Sequence, residues 1–186
     1  MTIYAITNLA DNSLTIDETG QLHSPLGSMR PVASAAGLVR LDWQQKPFTD
    51  RAENVTSLGT KIEIEACAQL KAYLTGRLTR FDLPFDWRGH SQAMKRWFEV
   101  ITIIPYGELW TYSQLAKIWG NEKAARPAGQ ACRRNPIPII IPCHRVVSAD
   151  GGPNQYSGGS ETTPTNPGNL ERKLWLQSLE AHNQEG

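Results

Sequence analysis

The sequence predicts an α+β fold in two domains, a strand-rich N-terminal domain over residues 1–85 and a mostly helical domain over residues 86–186. Short β-prone segments, separated by turn-forming residues, fill roughly the first 45 residues. Apolar residues then recur at helical spacing from Ile62 to Leu74, and helical patterns dominate the second half of the chain. Strands followed by a packing helix are typical of a small α+β unit.

Three strands and one helix are predicted in the N-terminal domain. Residues 2–7 and 14–17 are short β-prone runs, and residues 37–43 alternate apolar and polar side chains as a half-buried strand does. The helix of residues 62–74 is predicted to end at Gly76, because glycine readily adopts the left-handed conformation of a C-cap.

The second domain follows a predicted linker at residues 81–86. It is expected to open with three helices, at residues 92–103, 112–118 and 125–134. Thr111 is a good N-cap for the middle helix, and Gly120 is a good terminator. The last two helices, joined by a short turn, resemble a helix-turn-helix. An ordinary helical hairpin has the same pattern, so these elements alone leave both interpretations open.

The remaining segments complete the second domain. Residues 137–141 form an apolar, strand-like run, and residues 147–152 predict a tight hairpin-like turn. Residues 160–168 are polar and rich in turn formers, so we expect a mobile loop that lies in solvent. A final helix is predicted over residues 170–180, with Asn169 as its cap.

The composition indicates a soluble globular protein, with 40% hydrophobic and 20% charged residues. No apolar run approaches the ~18 residues of a membrane span, and the N-terminus lacks the pattern of a signal peptide. The three cysteines, Cys67, Cys132 and Cys143, are too few and too widely spaced for a disulfide framework or a zinc site. We therefore expect a reducing compartment such as the cytoplasm, with Cys67 as a small core side chain.

The net charge of +1 conceals a basic central block. Residues 1–85 carry 8 Lys/Arg and 9 Asp/Glu, residues 86–147 carry 9 and 4, and residues 148–186 carry 2 and 5. From Lys123 to Arg145 there are five basic residues and no acidic one. Such a stripe suits a polyanion such as DNA, although an ordinary solvated basic face gives the same count.

The Pro-Cys-His-Arg run at residues 142–145 carries the clearest chemistry. A free thiol is a weak nucleophile at neutral pH, since its unperturbed pKa is about 8.5. A neighbouring imidazole and a basic surround can shift the thiol toward the thiolate that attacks. The sequence therefore predicts that Cys143 is a nucleophile and that His144 is its base.

The longer string at residues 134–147 closely resembles the active-site signature of the O6-alkylguanine-DNA alkyltransferases, also called methylated-DNA-protein-cysteine methyltransferases. Further segments look like the domain junction of that family, the start of its helix-turn-helix and its recognition helix. They are residues 70–78 with 81–84, residues 105–108 with 111–116, and residues 124–130.

The resemblance implies direct-reversal DNA repair. An alkyl group on O6 of guanine in duplex DNA would pass irreversibly to Cys143 after the nucleotide is flipped out, once per protein molecule. It implies no cofactor and no metal, and it leaves open whether O4-alkylthymine is a substrate. It further implies a ribonuclease-H-like N-terminal domain, a winged helix-turn-helix-type second domain, and a monomer that binds double-stranded DNA, with cooperative binding left open. The protein would act in the cytoplasm at the nucleoid, or in the nucleus of a eukaryote.

The resemblance also assigns residues. Cys143 is the acceptor, His144 activates it through a water, and Glu180 orients the histidine. Asn135 is the hinge between the recognition helix and the cysteine loop, and Tyr112 pushes on the DNA backbone. Arg126 is the finger that fills the space of the flipped base. The remaining assignments are DNA contacts at Ala125, Gln130 and Arg133, and a base pocket at Tyr156, Ser157, Val146 and Gly158.

Two other functions compete with this assignment. A protein of the same fold could sense alkylated bases without transfer, but relatives of that kind lack the cysteine that stands here at 143. A Cys-His hydrolase would turn over and need an oxyanion hole, and a helix-turn-helix beside its nucleophile is not expected.

Overall fold

The computed structural model describes residues 13–17, 20–24, 26–44, 57–152, 156 and 167–183. The predicted strand at residues 2–7, the pocket residues Ser157 and Gly158, and residues 160–166 of the predicted loop lie outside these ranges. The described residues form two compact units that divide between Arg88 and Gly89. No helix in the described ranges combines the length and the apolar character that crossing a membrane requires.

The first unit is an antiparallel four-stranded sheet with one helix. Its strands lie in chain order and are β1 (Thr15–Ile16), β2 (Leu22–Ser24), β3 (Gly27–Ser34) and β4 (Gly37–Gln44), followed by α1 (Ser57–Leu74). The predicted strands at 14–17 and 37–43 and the helix at 62–74 are confirmed. The longer β3 was not predicted, because Pro31 and two serines interrupt its apolar pattern.

Helix α1 packs against β3 and β4, and the core between them contains Met29, Leu41 and Trp43. The indole Nε1 of Trp43 donates to the backbone oxygen of Leu26 at 3.1 Å, so this buried donor is satisfied. Cys67 of α1 is buried as expected. Burial is the main cause that raises the pKa of this thiol, to about 12, with smaller contributions from Glu63 and Asp17.

The predicted linker at residues 81–86 is part of the first unit. Phe85 pairs with Leu38 in a parallel bridge, and the Leu38 amide donates to the Pro84 oxygen at 2.7 Å. A side chain at Gly37 would place its Cβ 2.6 Å from the Phe85 backbone carbon, so only glycine permits this approach. The segment therefore pairs with the sheet and is not a free linker.

The second unit contains the predicted helices and two very short strands. Its elements are α2 (Gln92–Thr102), β5 (Trp110–Thr111), α3 (Tyr112–Trp119), α4 (Ala125–Arg133), β6 (Val146–Val147) and α5 (Pro167–His182). Thr111 caps α3 in a capping box with Gln114, and Gly120 ends the helix at φ 103°, as predicted. The rings of Trp97 on α2 and Trp119 on α3 are stacked, with their centroids 4.8 Å apart.

Two predicted features of the second unit are wrong in detail. Residues 137–141 do not form a strand: the Ile141 amide donates to the Ile137 oxygen at 2.9 Å, and Ile139 has φ 73°. The apolar run is therefore a buried turn, which sequence periodicity does not distinguish from a short strand. Residues 147–152 do contain a turn, but β6 before it pairs in parallel with β5 rather than in a hairpin.

Candidate active site

Cys143 begins a short 3-10 helix that spans Cys143–Arg145 and follows the buried turn. Its side chain is buried, with 5% of the residue exposed. Its backbone amide donates to the Ile141 oxygen at 2.8 Å, so the turn fixes the direction in which the sulfur projects. The nucleophile is thus held at the end of a rigid turn and not at the end of a strand.

Asn135, directly after α4, connects that helix to the cysteine. Its Nδ2 donates to Cys143 Sγ at 2.9 Å and to the Ile141 oxygen at 2.7 Å. Its Oδ1 accepts from the Ile137 amide at 3.0 Å. One amide side chain therefore holds both ends of the turn and aims a donor at the sulfur. The hinge role that the family resemblance assigns to Asn135 stays a prediction.

His144 and Glu180 form a buried pair behind the cysteine. The His144 Nε2 lies 2.8 Å from Glu180 Oε1, and both side chains are almost fully buried. The Glu180 carboxylate also accepts from the Gly107 amide at 2.9 Å and from the Arg145 guanidinium at 2.9 to 3.1 Å. His144 and Glu180 are both predicted as site residues from the sequence, and the fold brings them into contact across 36 residues.

The charge states of this pair follow from its surroundings. Burial alone would raise the pKa of Glu180, but its electrostatic interactions and hydrogen bonds with His144 and Arg145 outweigh burial and hold that pKa below its usual range. Burial lowers the pKa of His144; Glu180 raises it, while Arg145 and Lys173 add to the lowering. The pair is therefore an ionised carboxylate next to a neutral imidazole at neutral pH.

The Cys143 thiol is protonated in the free protein. Burial raises its pKa, and the Asn135 hydrogen bond and the Lys173 charge only partly oppose burial. The expectation that the surroundings shift the resting thiol toward thiolate is therefore wrong on balance. Loss of the thiol proton needs a nearby acceptor, and the neutral His144 next in the chain is suited to that task.

Lys173 is a site residue that the sequence motifs did not predict. Its ammonium is buried, donates to the Val146 oxygen at 2.7 Å, and lies close enough to Cys132 and Cys143 to favour their charged forms. Gln177 donates to the His144 oxygen at 2.7 Å. Lys173, Gln177 and Glu180 are spaced by four and three residues, the spacing of one helix face, and this signal was available in the sequence.

Two tyrosines predicted near the site are also close to the cysteine. Tyr112 begins α3, and its ring lies 3.8 Å from the position that a Gly129 side chain would occupy. Burial raises its pKa, with smaller contributions from Cys132 and Cys143. Burial likewise raises the pKa of Tyr156, and Cys143 contributes. Both hydroxyls therefore stay protonated and available as donors at neutral pH.

Sequence profiles from one family match both units. The profile for the DNA binding domain of 6-O-methylguanine DNA methyltransferase matches residues 92–182, and that for its ribonuclease-like domain matches residues 19–87. The chain belongs to the 6-O-methylguanine DNA methyltransferase family. The resemblance drawn from the sequence motifs is thereby confirmed, and so is the predicted α+β fold class.

Relatives of this family resemble the chain over different lengths. The methylated-DNA--protein-cysteine methyltransferase of Mycobacterium leprae is 43% identical over 118 residues, 63% of this chain and 65% of that protein. The one from Methanosarcina barkeri is 35% identical over 164 residues, 87% of this chain and 96% of that protein. The M. leprae alignment thus spans just under two thirds of that protein.

A solved structure of Mycobacterium tuberculosis OGT in complex with DNA superposes on the chain with a TM-score of 0.71. The two are 33% identical, and the match covers 88% of this chain and 92% of that chain. The sequence resemblance to the family thus extends to the three-dimensional structure.

Helix α4 of this family member presents a polar, basic outer face. Arg126, Gln130 and Arg133 are exposed, whereas Ala128 and Ala131 are buried against the rest of the unit. Ala125 is half-buried, and Val146 is buried beside Lys173. Within the described part of the chain, no group of three or more His, Cys, Asp or Glu is placed to hold a metal.

Proposed function

We propose that this protein repairs DNA by direct reversal, with Cys143 as the acceptor of an alkyl group from O6 of guanine. The observation that carries the proposal is the arrangement around the sulfur. Asn135 donates to Sγ at 2.9 Å, and a buried His144–Glu180 pair at 2.8 Å stands next in the chain. Family membership supports the same assignment, since the relatives named above are methylated-DNA--protein-cysteine methyltransferases.

The chemistry follows from the charge states. Because the thiol is protonated at rest, its proton must leave as the sulfur attacks; we infer that the neutral His144 accepts it, through a water as the family resemblance implies. The ionised Glu180 then stabilises the imidazolium. Asn135 and Lys173 stabilise the negative charge that develops on Sγ.

The transfer exchanges one bond for another. The sulfur forms a bond to the alkyl carbon as the bond from that carbon to O6 breaks, and the electron pair leaves with guanine, which regains a proton. A tyrosine hydroxyl, from the half-buried Tyr112 or the buried Tyr156, is a suitable proton donor because desolvation raises the pKa of both and keeps them protonated. The thioether product has no leaving group that would restore the thiol, so each molecule acts once.

The DNA partner is assigned to the outer face of α4. Its exposed Arg126 and Arg133 supply positive charge for phosphates, and Gln130 supplies a donor and an acceptor. We infer that Arg126 fills the space of the flipped nucleotide and that Tyr112 acts on the backbone at the start of α3. Ala125 would allow close approach of DNA, and Tyr156, Ser157, Gly158 and Val146 would form the base pocket. We further propose a monomer that acts at the nucleoid of the cytoplasm, or in a eukaryotic nucleus.

The test is the intact mass of the protein after incubation with a slight excess of duplex DNA that bears one O6-methylguanine. We expect a gain equal to one CH₂ group, mapped to Cys143 and absent in Cys143→Ser. Cys67→Ser is the matched control, because Cys67 is a buried thiol in the other unit, and it should gain the same mass.

The other outcomes are informative. No gain with retained binding to the lesion would mean a sensor, and release of product in excess of protein would mean a turnover enzyme. Either result would refute the proposal of single-turnover alkyl transfer.

A further inference from the structure

Arg145 has more contacts than a simple structural ion pair requires. The residue is buried, its Nε donates to both oxygens of Glu180, and its Nη2 donates to Oε1. Its Nη1 donates to the Ile104 oxygen at 2.6 Å. The guanidinium lies 5.6 Å from the centre of the Tyr106 ring, within the range of a cation–π contact.

The Glu180 carboxylate is consequently shared between the His144 imidazole and the Arg145 guanidinium. Oε1 faces His144 Nε2 at 2.8 Å and also accepts from Arg145, while Oε2 accepts from Arg145 and from the Gly107 amide. A carboxylate offers about four lone-pair sites, and these contacts use them fully. A guanidinium stays charged in proteins, so Arg145 gives Glu180 a permanently charged partner whatever the protonation state of His144.

The consequence for His144 concerns its proton. A carboxylate with no other cation would draw a proton onto the imidazole, because an adjacent opposite charge favours the charged form. Arg145 offsets that pull, and the Lys173 ammonium from α5 acts in the same direction. Among the described residues, Tyr106 and Tyr156 are further titratable groups that interact with Glu180, and Cys143 precedes His144 in the chain. The balance with burial leaves His144 neutral.

We propose that Arg145 is a positioning residue for alkyl transfer, which gives Glu180 a permanent charged partner and thereby keeps His144 uncharged and free to accept the Cys143 proton. This inference rests on the proposed function above, because it assigns His144 the role of proton acceptor. It differs from a purely structural role, in which Arg145 would matter for folding and not for the protonation of His144.

Residues 104–107 form the frame that holds Arg145 in place. This segment supplies the Ile104 oxygen and the Tyr106 ring to the guanidinium, and the Gly107 amide to Glu180. The Tyr106 hydroxyl in turn accepts from Asn183 Nδ2 at 3.1 Å, near the end of α5. Loss of the Tyr106 ring should therefore loosen Arg145 without deleting its charge.

The experiment measures the pH dependence of single-turnover methyl transfer and, in the protein alone, the NMR titration of the His144 ring. In Arg145→Gln the acidic limb of the rate profile and the His144 titration should both move up by about one pH unit. At pH values below both midpoints the rate of Arg145→Gln should then fall about tenfold further, relative to wild type, than it does at pH 8. Tyr106→Leu should move the acidic limb and the His144 titration in the same direction by a smaller amount. Tyr106→Phe is the matched control, because it keeps the ring, and it should leave the acidic limb and the titration unchanged.

The outcomes separate the two claims. An equal loss of rate at every pH, with the His144 titration unmoved in Arg145→Gln, would overturn the inference. If Arg145→Gln does not fold, an unmoved titration in Tyr106→Leu overturns it instead. Failure of the wild-type protein to transfer methyl would refute the proposed function, while the NMR titration would still decide how Arg145 affects His144.

Discussion

Replacing Asn135 by aspartate should slow alkyl transfer strongly while changing the shape of the site very little. The aspartate retains an acceptor for the Ile137 amide, 3.0 Å from Oδ1. It loses the Nδ2 donor, which lies 2.9 Å from Cys143 Sγ and 2.7 Å from the Ile141 oxygen. The substitution therefore removes the donor to the sulfur and, when ionised, puts a like charge beside the developing thiolate.

The size of the effect can be worked from these contacts. A hydrogen bond to a charged group contributes about 1.5–3 kcal/mol, and its loss alone corresponds to about a 10- to 150-fold slower transfer. Repulsion between two charges 2.9 Å apart adds to this, although the aspartate will take up a proton in part and so limit it. We expect transfer at least about 100-fold slower than wild type. The orphaned Ile141 oxygen should lower the free energy of unfolding by about 1–3 kcal/mol.

The assay is the time course of the mass gain on mixing with duplex DNA that bears one O6-methylguanine, with DNA affinity measured separately by fluorescence anisotropy. Asn121→Asp is the matched control, because Asn121 is exposed and its Oδ1 accepts from the Lys123 amide in the same local geometry. A folded Asn135→Asp protein that transfers methyl within threefold of wild type would refute the assigned role of Asn135.

Two further predictions concern buried charge and buried thiols. Lys173→Met removes the ammonium near Cys143, so the pKa of Cys143 should rise by about one unit and alkyl transfer should slow about tenfold. The pKa is read from the pH dependence of iodoacetamide labelling. Lys95→Met on α2 is the control and should change neither the pKa nor the rate. An unchanged labelling profile would contradict this. Cys67 has its pKa raised to about 12 in the fold, so the unfolded chain loses this proton first and stability falls as pH rises above about 8.5. In urea unfolding, the free energy of unfolding of wild type should fall by about 1–2 kcal/mol more between pH 7 and pH 10 than that of Cys67→Ala. An equal fall in both proteins would exclude Cys67 as the cause.

Features set by neighbours in the chain were predictable from the sequence. Thr111 and Gly120 bound α3 as predicted, because capping depends on side chains and φ angles within one turn. The Cys143–His144 pair was likewise visible in the sequence, because the two residues are adjacent in the chain. The turn at Ile139 was not predictable, because its positive φ depends on tertiary packing around a run of buried isoleucines. Periodicity assigns such a run to a strand.

The protonation of the site could not be read from the motif at all. Sequence adjacency of Cys143 and His144 suggested an activated thiol, yet burial raises the pKa of the one and lowers that of the other. The groups that oppose or complete these shifts come from distant segments, namely Asn135 after α4, Gly107 before β5, and Lys173 with Glu180 on α5. A buried nucleophile needs such partners because burial disfavours every charge that the reaction creates. The motif therefore specifies which atoms react, and the packing of α4 and α5 around it determines where the proton rests before they do.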